Sequence, residues 1–540
     1  MTFTIGPKAY NSLATPQIID VELNDVDIDR MMTHLLELAV KQGRRGASRT
    51  DATEYDKYLD QLASNAQILG VQTAEGRAVL DGWVRASVLQ FERGGVRRAY
   101  AQMGFVRTLT VASYRSGLPK TPGRNRRADV LAFRSMVHVL TDRGALNPRR
   151  HLHDLVLGTF GRNVDLGAFP YSEPKFDGSE PVDIDTLLAL RFLEGFAPAT
   201  KHTDVSPDGT AAFDPPVPSA VLPLGTDLVD FLNLFGPALP VAEAYAHMAG
   251  LVALRLFQLP LRSARTVRQL LKGEDPTLDP GLEIYCDFTR KRGSASDELA
   301  GACIQRDLEA MSGFFGDRLL LRSVGLAADV HPTLRKKEAN AEGRLAAMAG
   351  ARDDPMAQMA LGMQLQTIRA DMVERSDEDG LAFIEELSAS DLDLGDQLKA
   401  VLIEGLRKRG LENQVKWFWS TGGVTKAYGL ITGVLTSRTS WRYAPSDELL
   451  TTLLCMCFVE ADGSRTTSRL TIRELLDRLD GRFGLLIDRP PAEFDTADAR
   501  SGSSENLAAF TRHLQLLGCF EGLSDDFDAQ FVTRPRESVR

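Results

Sequence analysis

Apolar residues recur at three- and four-residue spacing along most of this chain, which is the period of an amphipathic helix. Met31, Leu35, Leu38 and Ala39 make the first such stripe, with His34 in the same helix as a structural residue. From Asp227 to Leu271 the pattern is helical and so apolar that it reads as core, through FLNLFGPALP and VAEAYAHMAGLVALRLFQLPLRSARTVRQLL. Further helices are expected over Asp297 to Phe315, with Leu299, Cys303, Leu308 and Met311 near one face, and over Asp317 to Ala328. Others follow around Arg335 to Met348, along Met356, Met359, Met363, Leu365 and Ile368, and over Leu381 to Leu387 and Leu394 to Leu406. The methionine-rich one is expected to fill core, because an unbranched thioether adapts to irregular gaps. Strand-like stretches are few: Phe3 and Ile5, and LEIYCDF from Leu282 to Phe288. The expected fold class is therefore mainly α, a multi-domain helical protein with little sheet.

The C-terminal pattern adds a winged-helix-like domain. Pro445 and Ser446 precede the apolar run Leu449, Leu450, Leu453, Leu454 and Met456, with Glu448 in the first turn. A second helix over Thr471 to Leu479 presents Ile472, Leu475, Leu476 and Leu479. Ser504 is placed to cap a third helix from Glu505, bearing Leu507, Phe510, Leu514 and Leu517 and ending at Gly518. An insertion from Pro490 to Ser503 would precede that helix. Cys519 and Phe520, a polar loop from Glu521 to Asp528, and the alternating Ala529 to Thr533 would then form a two-stranded wing. Asn506, Arg512, His513 and Gln515 are expected to face outward from the third helix, with Arg534 and Arg536 beyond the wing. Trp441 and Tyr443 are expected to pack on the first.

Charge changes this picture. The 540 residues carry a formal net charge of -10, but Lys41 to His151 hold 20 Lys plus Arg against 9 Asp plus Glu. The basic residues cluster as Arg44, Arg45 and Arg49, then Arg93, Arg97 and Arg98, then Lys120, Arg124, Arg126 and Arg127, then Arg149 and Arg150. GLPKTPGRNRRAD reads as an exposed basic loop, and Tyr100, Phe105 and Tyr114 lie among the charges, where they could stack on bases or pack in the core. Guanidinium groups suit phosphate and carboxylate equally, so the partner is either nucleic acid or an acidic surface. An acidic surface lies within the chain: residues 152 to 240 carry 13 acidic and 4 basic residues. Another acidic stretch holds Glu22, Asp25, Asp27 and Asp29. From Ser446 to Arg540 the balance is 11 Arg and no Lys against 17 Asp plus Glu, so the proposed wing would repel phosphates.

These shifts divide the chain into an N-terminal basic helical domain over 1–151, an acidic Pro/Gly-rich connection over 152–226, a central helical domain over 227–435, and a winged-helix-like domain over 436–540. A short helix, Ile184 to Gly195, is expected inside the connection. Phe196 to Thr226 is expected to run as an extended, weakly periodic arm.

Candidate chemistry is sparse. His151, His153 and Asp154 form HLHD, but histidines two apart do not converge on one helix face. Cys455 and Cys457 lack the spacing of a metal or redox pair, and the five cysteines read as buried free thiols. A nuclease core would need a lysine two residues after Glu283, where Tyr285 stands. ERSDEDG lacks the alternating ligands of a calcium loop, and KWFWSTGGVTK lacks the spacing of a phosphate-binding loop. No Ser/His/Asp signature, cofactor fingerprint or membrane-length apolar run is present, so no catalytic residue, metal, cofactor or membrane association is expected. The N-terminus has no leader pattern, which makes the cytoplasm the expected location.

The segments LEIYCDFTRKRG, FFGDRLLLRSVG, SWRYAPSDELLTTLLCMC, LLDRLDGRFGLLIDRPP and ENLAAFTRHLQLLGCFEGLSDDFDAQFV together resemble proteins of bacterial antiphage defence operons, in particular methylation-associated defence systems. The resemblance spans the C-terminal half and carries no catalytic or ligand-binding motif. It implies an antiviral component that acts with a DNA-modifying or DNA-sensing assembly. The leading expectation is a non-enzymatic scaffold that binds double-stranded DNA or docks by protein–protein interaction to a DNA-acting complex. Its candidate nucleic-acid contacts are Arg44, Arg45, Arg93, Arg97, Arg98, Lys120, Arg124, Arg126, Arg127, Arg149, Arg150, Arg512 and His513. The alternatives are a winged-helix transcriptional regulator, and a nuclease or other phosphate-processing enzyme whose site is scattered through the sequence.

Overall fold

Three long helices form the spine of the computed structural model, which describes residues 3–46, 59–60, 63–66, 69–83, 89–91, 104–106, 125–161, 181–182, 202–205, 213–278, 281–331, 334, 338, 340–522 and 530–535. Fourteen α-helices lie among the described residues, so the fold is mainly α. In chain order the first ten are α1 (Ile28–Val40), α2 (Ala74–Trp83), α3 (Ala128–Asp142), α4 (Pro148–Phe160), α5 (Pro218–Leu234), α6 (Val241–Lys272), α7 (Ala295–Val330), α8 (Ala341–Gly350), α9 (Pro355–Glu374) and α10 (Glu378–Ser388). They are followed by α11 (Leu394–Thr421), α12 (Asp447–Cys457), α13 (Ile472–Phe483) and α14 (Ala497–Leu516). The strands are short: β1 (Arg44–Gly46), β2 (Leu89–Phe91), β3 (Gly104–Val106), β4 (His202–Asp204), β5 (Ile284–Tyr285), β6 (Ile431–Thr432), β7 (Arg442–Tyr443), β8 (Arg469–Thr471), β9 (Leu485–Leu486), β10 (Phe520–Gly522) and β11 (Gln530–Thr533).

The spine helices α6, α7 and α11 run for 32, 36 and 28 residues. Their lengths correct the sequence reading at two places. Asp297–Phe315 and Asp317–Ala328 are one helix, because Gly316 keeps helical geometry where Lys399 and Ile403 of α11 press against it. The paired tryptophans belong to the last turns of α11, where Trp417 is buried and its indole N–H donates to the Leu256 carbonyl at 2.9 Å. Close approach explains the helix pairings. A side chain at Gly410 would run into the Phe315 ring, so the ring of α7 seats directly on the backbone of α11. Gly225 lies equally close to Ser135, whose hydroxyl accepts from the Gly225 N–H and donates to the Val221 carbonyl, fastening α5 to α3. The arm expected over Phe196–Thr226 is in part helix: Pro218 occupies the first turn of α5, and Val221 and Leu224 are buried.

The main core draws residues from Ile18 to Val532, so helices from both ends of the chain share it. A second core joins the C-terminal half of α7 to α9, α10 and α11, with Phe3 and Ile5 inserted as buried side chains outside any strand. Here the methionine-rich helix departs from expectation. Ala357, Leu361, Leu365 and Ile368 face inward, whereas Met356, Met359 and Met363 face solvent. Trp441 and Tyr443 also differ. Trp441 stacks on Phe418 of α11, and Tyr443 packs on Phe257 of α6 and donates to Asp307 of α7, so neither depends on α12 for its main contacts.

The C-terminal elements follow the order helix, strand, helix, strand, helix, strand, strand: α12, β8, α13, β9, α14, β10, β11. Their three-stranded antiparallel sheet has the order β10–β11–β8. Ser446 caps α12, and Thr471 with Glu474 makes a reciprocal capping box on α13. α14 begins eight residues before the expected Glu505: Thr496 caps it, and Ser504 lies inside it with its hydroxyl on the Arg500 carbonyl. The early turns carry small residues, ADARSGSS, and their periodicity is hard to see because Gly502 lies directly against Ala295 and Ser296 of α7. Between α13 and α14, β9 pairs in parallel with β5, stitching this unit to the body.

Candidate nucleic-acid interface

Among the described residues of the basic N-terminal region, α1, α3 and α4 lie with the β1–β4 ladder, and Arg45, Arg126, Arg127, Arg149 and Arg150 meet carboxylates of the same chain. Arg126 and Arg127 sit consecutively in left-handed backbone at the entry to α3. That turn directs Arg126 to Glu22 at 3.0 Å and Asp25 at 2.8 Å, and Arg127 to Asp20 at 3.0 Å. Arg126 and Arg127 thus pair with carboxylates about a hundred residues earlier in sequence. Arg45 on β1 pairs with Asp129 of α3. Asp129 is buried, and burial raises its pKa above the ordinary carboxylate range against the opposing pull of Arg45. Arg149 reaches Asp204 on β4 at 2.9 Å and also donates to the Gln42 carbonyl. Arg150 pairs with Asp154 one helical turn on, at 3.0 Å. Arg44 lies half-buried on β1, opposite Asp204 in the ladder. Arg93, Arg97, Arg98, Lys120 and Arg124 lie outside the described residues, as do Tyr100 and Tyr114.

Two of these acidic partners come from the acidic middle of the chain. Asp204 takes Arg149, and Asp230 on α5 takes Arg143 at 2.7 Å. Asp230 also belongs to a buried cluster that no spacing in the sequence announced. Asp227 of α5 binds Arg255 of α6 at 2.6 Å and Arg482 of α13 at 2.7 Å, and Arg482 reaches Asp230 at 2.9 Å. Arg255 and Gln258 further donate to the Arg482 and Phe483 carbonyls at the end of α13. This cluster ties the C-terminal unit to two central helices and rigidifies the junction.

The outward face expected of the third C-terminal helix is only partly outward. Asn506 is fully buried; its amide donates to the Cys286 and Ile487 carbonyls and accepts from the Phe288 N–H. That three-way bond locks α14 onto the segment after β5, which is why a polar residue takes an inward position. His513 is also drawn in, 3.2 Å from Asp447 and with its ring near Phe288. Arg512 and Gln515 are exposed, as is Glu505 two helical turns before Arg512. Arg534 donates to the Thr466 hydroxyl. Arg536 and residues 523–529 of the loop lie outside the described residues.

Two concave sites accompany these surfaces. One, of about 750 Å³, lies between the Ser12–Asp20 segment, α3, α6, α7 and α8. Its polar groups engage one another: Arg344 pairs with Asp214, Arg322 donates to the Ser12 carbonyl, and Arg134 lies over the Phe213 ring. The other, of about 600 Å³, lies by the first turns of α7 and α12, where Arg290 pairs with Asp447 and Arg442 with Asp297. The HLHD histidines diverge, with His151 exposed and His153 buried. The cysteines are free; four are buried and Cys455 is half-buried. Burial raises the pKa of Cys303 and Cys457 to about 12 and of Cys519 to about 11. Among the described residues no helix is long and apolar enough to cross a membrane.

The family of Methylation-associated defense system protein MAD7 matches residues 8–536, nearly the whole chain, and the chain belongs to that family. No curated protein matches it.

Proposed function

We propose that this Methylation-associated defense system protein works as a non-catalytic docking component, holding protein partners of a DNA-acting assembly in the cytoplasm while the partners make the main contact with DNA. One observation carries the reading: Arg45, Arg126, Arg127, Arg149 and Arg150 are each paired with a carboxylate of their own chain. Tight duplex binding draws on free cationic groups that release counterions from phosphate, and a cation already bonded to a carboxylate releases few. The element order of the C-terminal unit and its β10–β11–β8 sheet support a winged helix. In helix-turn-helix proteins the corresponding helix enters the major groove. Here α14 spends one face on α7 and exposes both Arg512 and, two turns earlier, the acidic Glu505, a mixed face that favours a protein surface over phosphate.

Fluorescence anisotropy of a labelled duplex, titrated with the purified chain between about 50 and 200 mM salt, tests this. Weak binding with a shallow salt dependence is expected, unchanged by Arg512→Gln or by the pair Arg126→Gln and Arg127→Gln. Tight binding that falls steeply with salt and is lost in those variants would overturn the proposal.

A further inference from the structure

We infer that the solvent face of α9 is a docking surface for a basic amphipathic helix of a partner protein. The inference rests on the docking reading above and names one surface for it. Met356, Met359 and Met363 recur at helical spacing on that face and are 41, 53 and 59 % exposed. Their neighbours one residue along, Ala357, Ala360 and Gln364, are buried, so the helix is anchored by one face and leaves an apolar stripe on the other. The stripe widens sideways. Leu394 lies against α9 at Gly362, and Leu392 is exposed in the same loop. That loop is held in place by Arg352, which bonds Asp393 at 3.3 Å and Asp396 at 3.0 Å, and by the Gln358 amide oxygen on the Gly395 N–H. The apolar surface is therefore built on fixed backbone.

Methionine on a solvent face is costly unless it is covered, and its flexible, polarisable side chain suits a helix of varied sequence. Charge selects the occupant. Residues 352–396 hold 12 Asp plus Glu against 3 Arg, so carboxylates remain in excess after the arginines bond Asp353, Asp371, Asp377, Glu385, Asp393 and Asp396. Asp353 and Asp354 stand at one end of the stripe, Glu374 at the other and Asp391 beside Leu392, all exposed. An acidic rim around an apolar stripe repels an acidic partner and a nucleic acid alike, and complements a helix with leucine-like residues on one face and Lys or Arg on its flanks.

The probe is a fluorescein-labelled synthetic peptide of about 18 residues, leucines along one helical face and lysines along the flanks, titrated into the full chain. The expected result is saturable binding that weakens at least about tenfold in the double variant Met359→Gln and Met363→Gln, and in Glu374→Lys with Asp391→Lys. Glutamine keeps helix propensity and both methionines are exposed, so the variant folds. No binding, equal binding by the variants, or equal binding of a matched acidic peptide would overturn the assignment. So would concentration-dependent dimerisation of the chain that disappears in the methionine variant, because a second copy would then be the occupant. Co-assembly with the other defence proteins that persists undiminished in the methionine variant sinks this inference and leaves the docking reading standing. Failure of the unaltered chain to co-assemble sinks the docking reading, and the peptide titration still decides the face.

Discussion

Asp307 shows what burial does to a single group in this fold. It sits in α7 beneath β7, accepting from the Tyr443 hydroxyl at 2.7 Å and from Arg306 at 2.8 Å. Burial raises its pKa above the ordinary carboxylate range, outweighing the opposing pull of Arg306. A carboxyl whose folded pKa is raised holds its proton more tightly in the native state. Its contribution to stability is whole below the unfolded value of about 3.9 and is lost as pH rises through the folded value. Asp307→Asn cannot ionise, so its stability relative to the parent chain should climb with pH across that window in urea unfolding. A flat or falling difference would contradict the assignment. The thiols give a second test. With pKa values raised to about 12, Cys303 and Cys457 stay protonated, so iodoacetamide at about pH 8 should leave both unmodified in the native chain and label both after unfolding. Labelling of the native chain at the rate of a free thiol would refute this. The sequence made the free, buried thiols legible, because five cysteines at irregular spacing leave few other roles. It could not reveal Asn506 as a core residue, since its three partners lie on segments about 20 and 220 residues away.

At the scale of elements, α14 and α13 are fixed by bonds that can be cut singly. Asn506→Ala leaves one buried N–H and two buried carbonyls without their partner, each worth about 1–3 kcal/mol, so the loss of stability in denaturant titration should be several kcal/mol. A loss comparable to that of an exposed substitution would show that α14 does not rest on this bond. Asp227→Ala leaves the buried Arg255 without a carboxylate and Arg482 with Asp230 alone, and should cost roughly 3–5 kcal/mol; a neutral result would mean that the cluster is dispensable. The helices themselves were largely readable, because each carries apolar residues at three- and four-residue spacing and several carry a capping residue. Legibility failed where glycine and small residues allow close crossing. Gly316 made one helix look like two, and Gly502 concealed the first turns of α14. The methionine helix failed for a different reason: period 3.6 marks two faces, and methionine does not say which one is buried.

Across the described residues, arginines of the N-terminal region pair with carboxylates distant in sequence. The surplus of arginine before residue 151 and the acidic stretches on either side of it were plain in the sequence, but their pairing was not, because it depends on the left-handed turn at Arg126 and Arg127 and on the β1–β4 ladder. Among the described residues, pairing fastens Arg45 to α3, Arg126 to the segment before α1 and Arg149 to β4, while Arg127 and Arg150 pair at the surface. Among the described residues the solvent face of α9 is rimmed by carboxylates, and α14 exposes both Arg512 and Glu505. Size-exclusion chromatography with light scattering, on a mixture of this chain, the other proteins of its defence system and a labelled duplex, tests the docking reading most directly. The account predicts that the chain moves into a protein complex with or without DNA, and that duplex travels with it only when a partner is present. A chain that elutes apart from those proteins and carries the duplex by itself would contradict it.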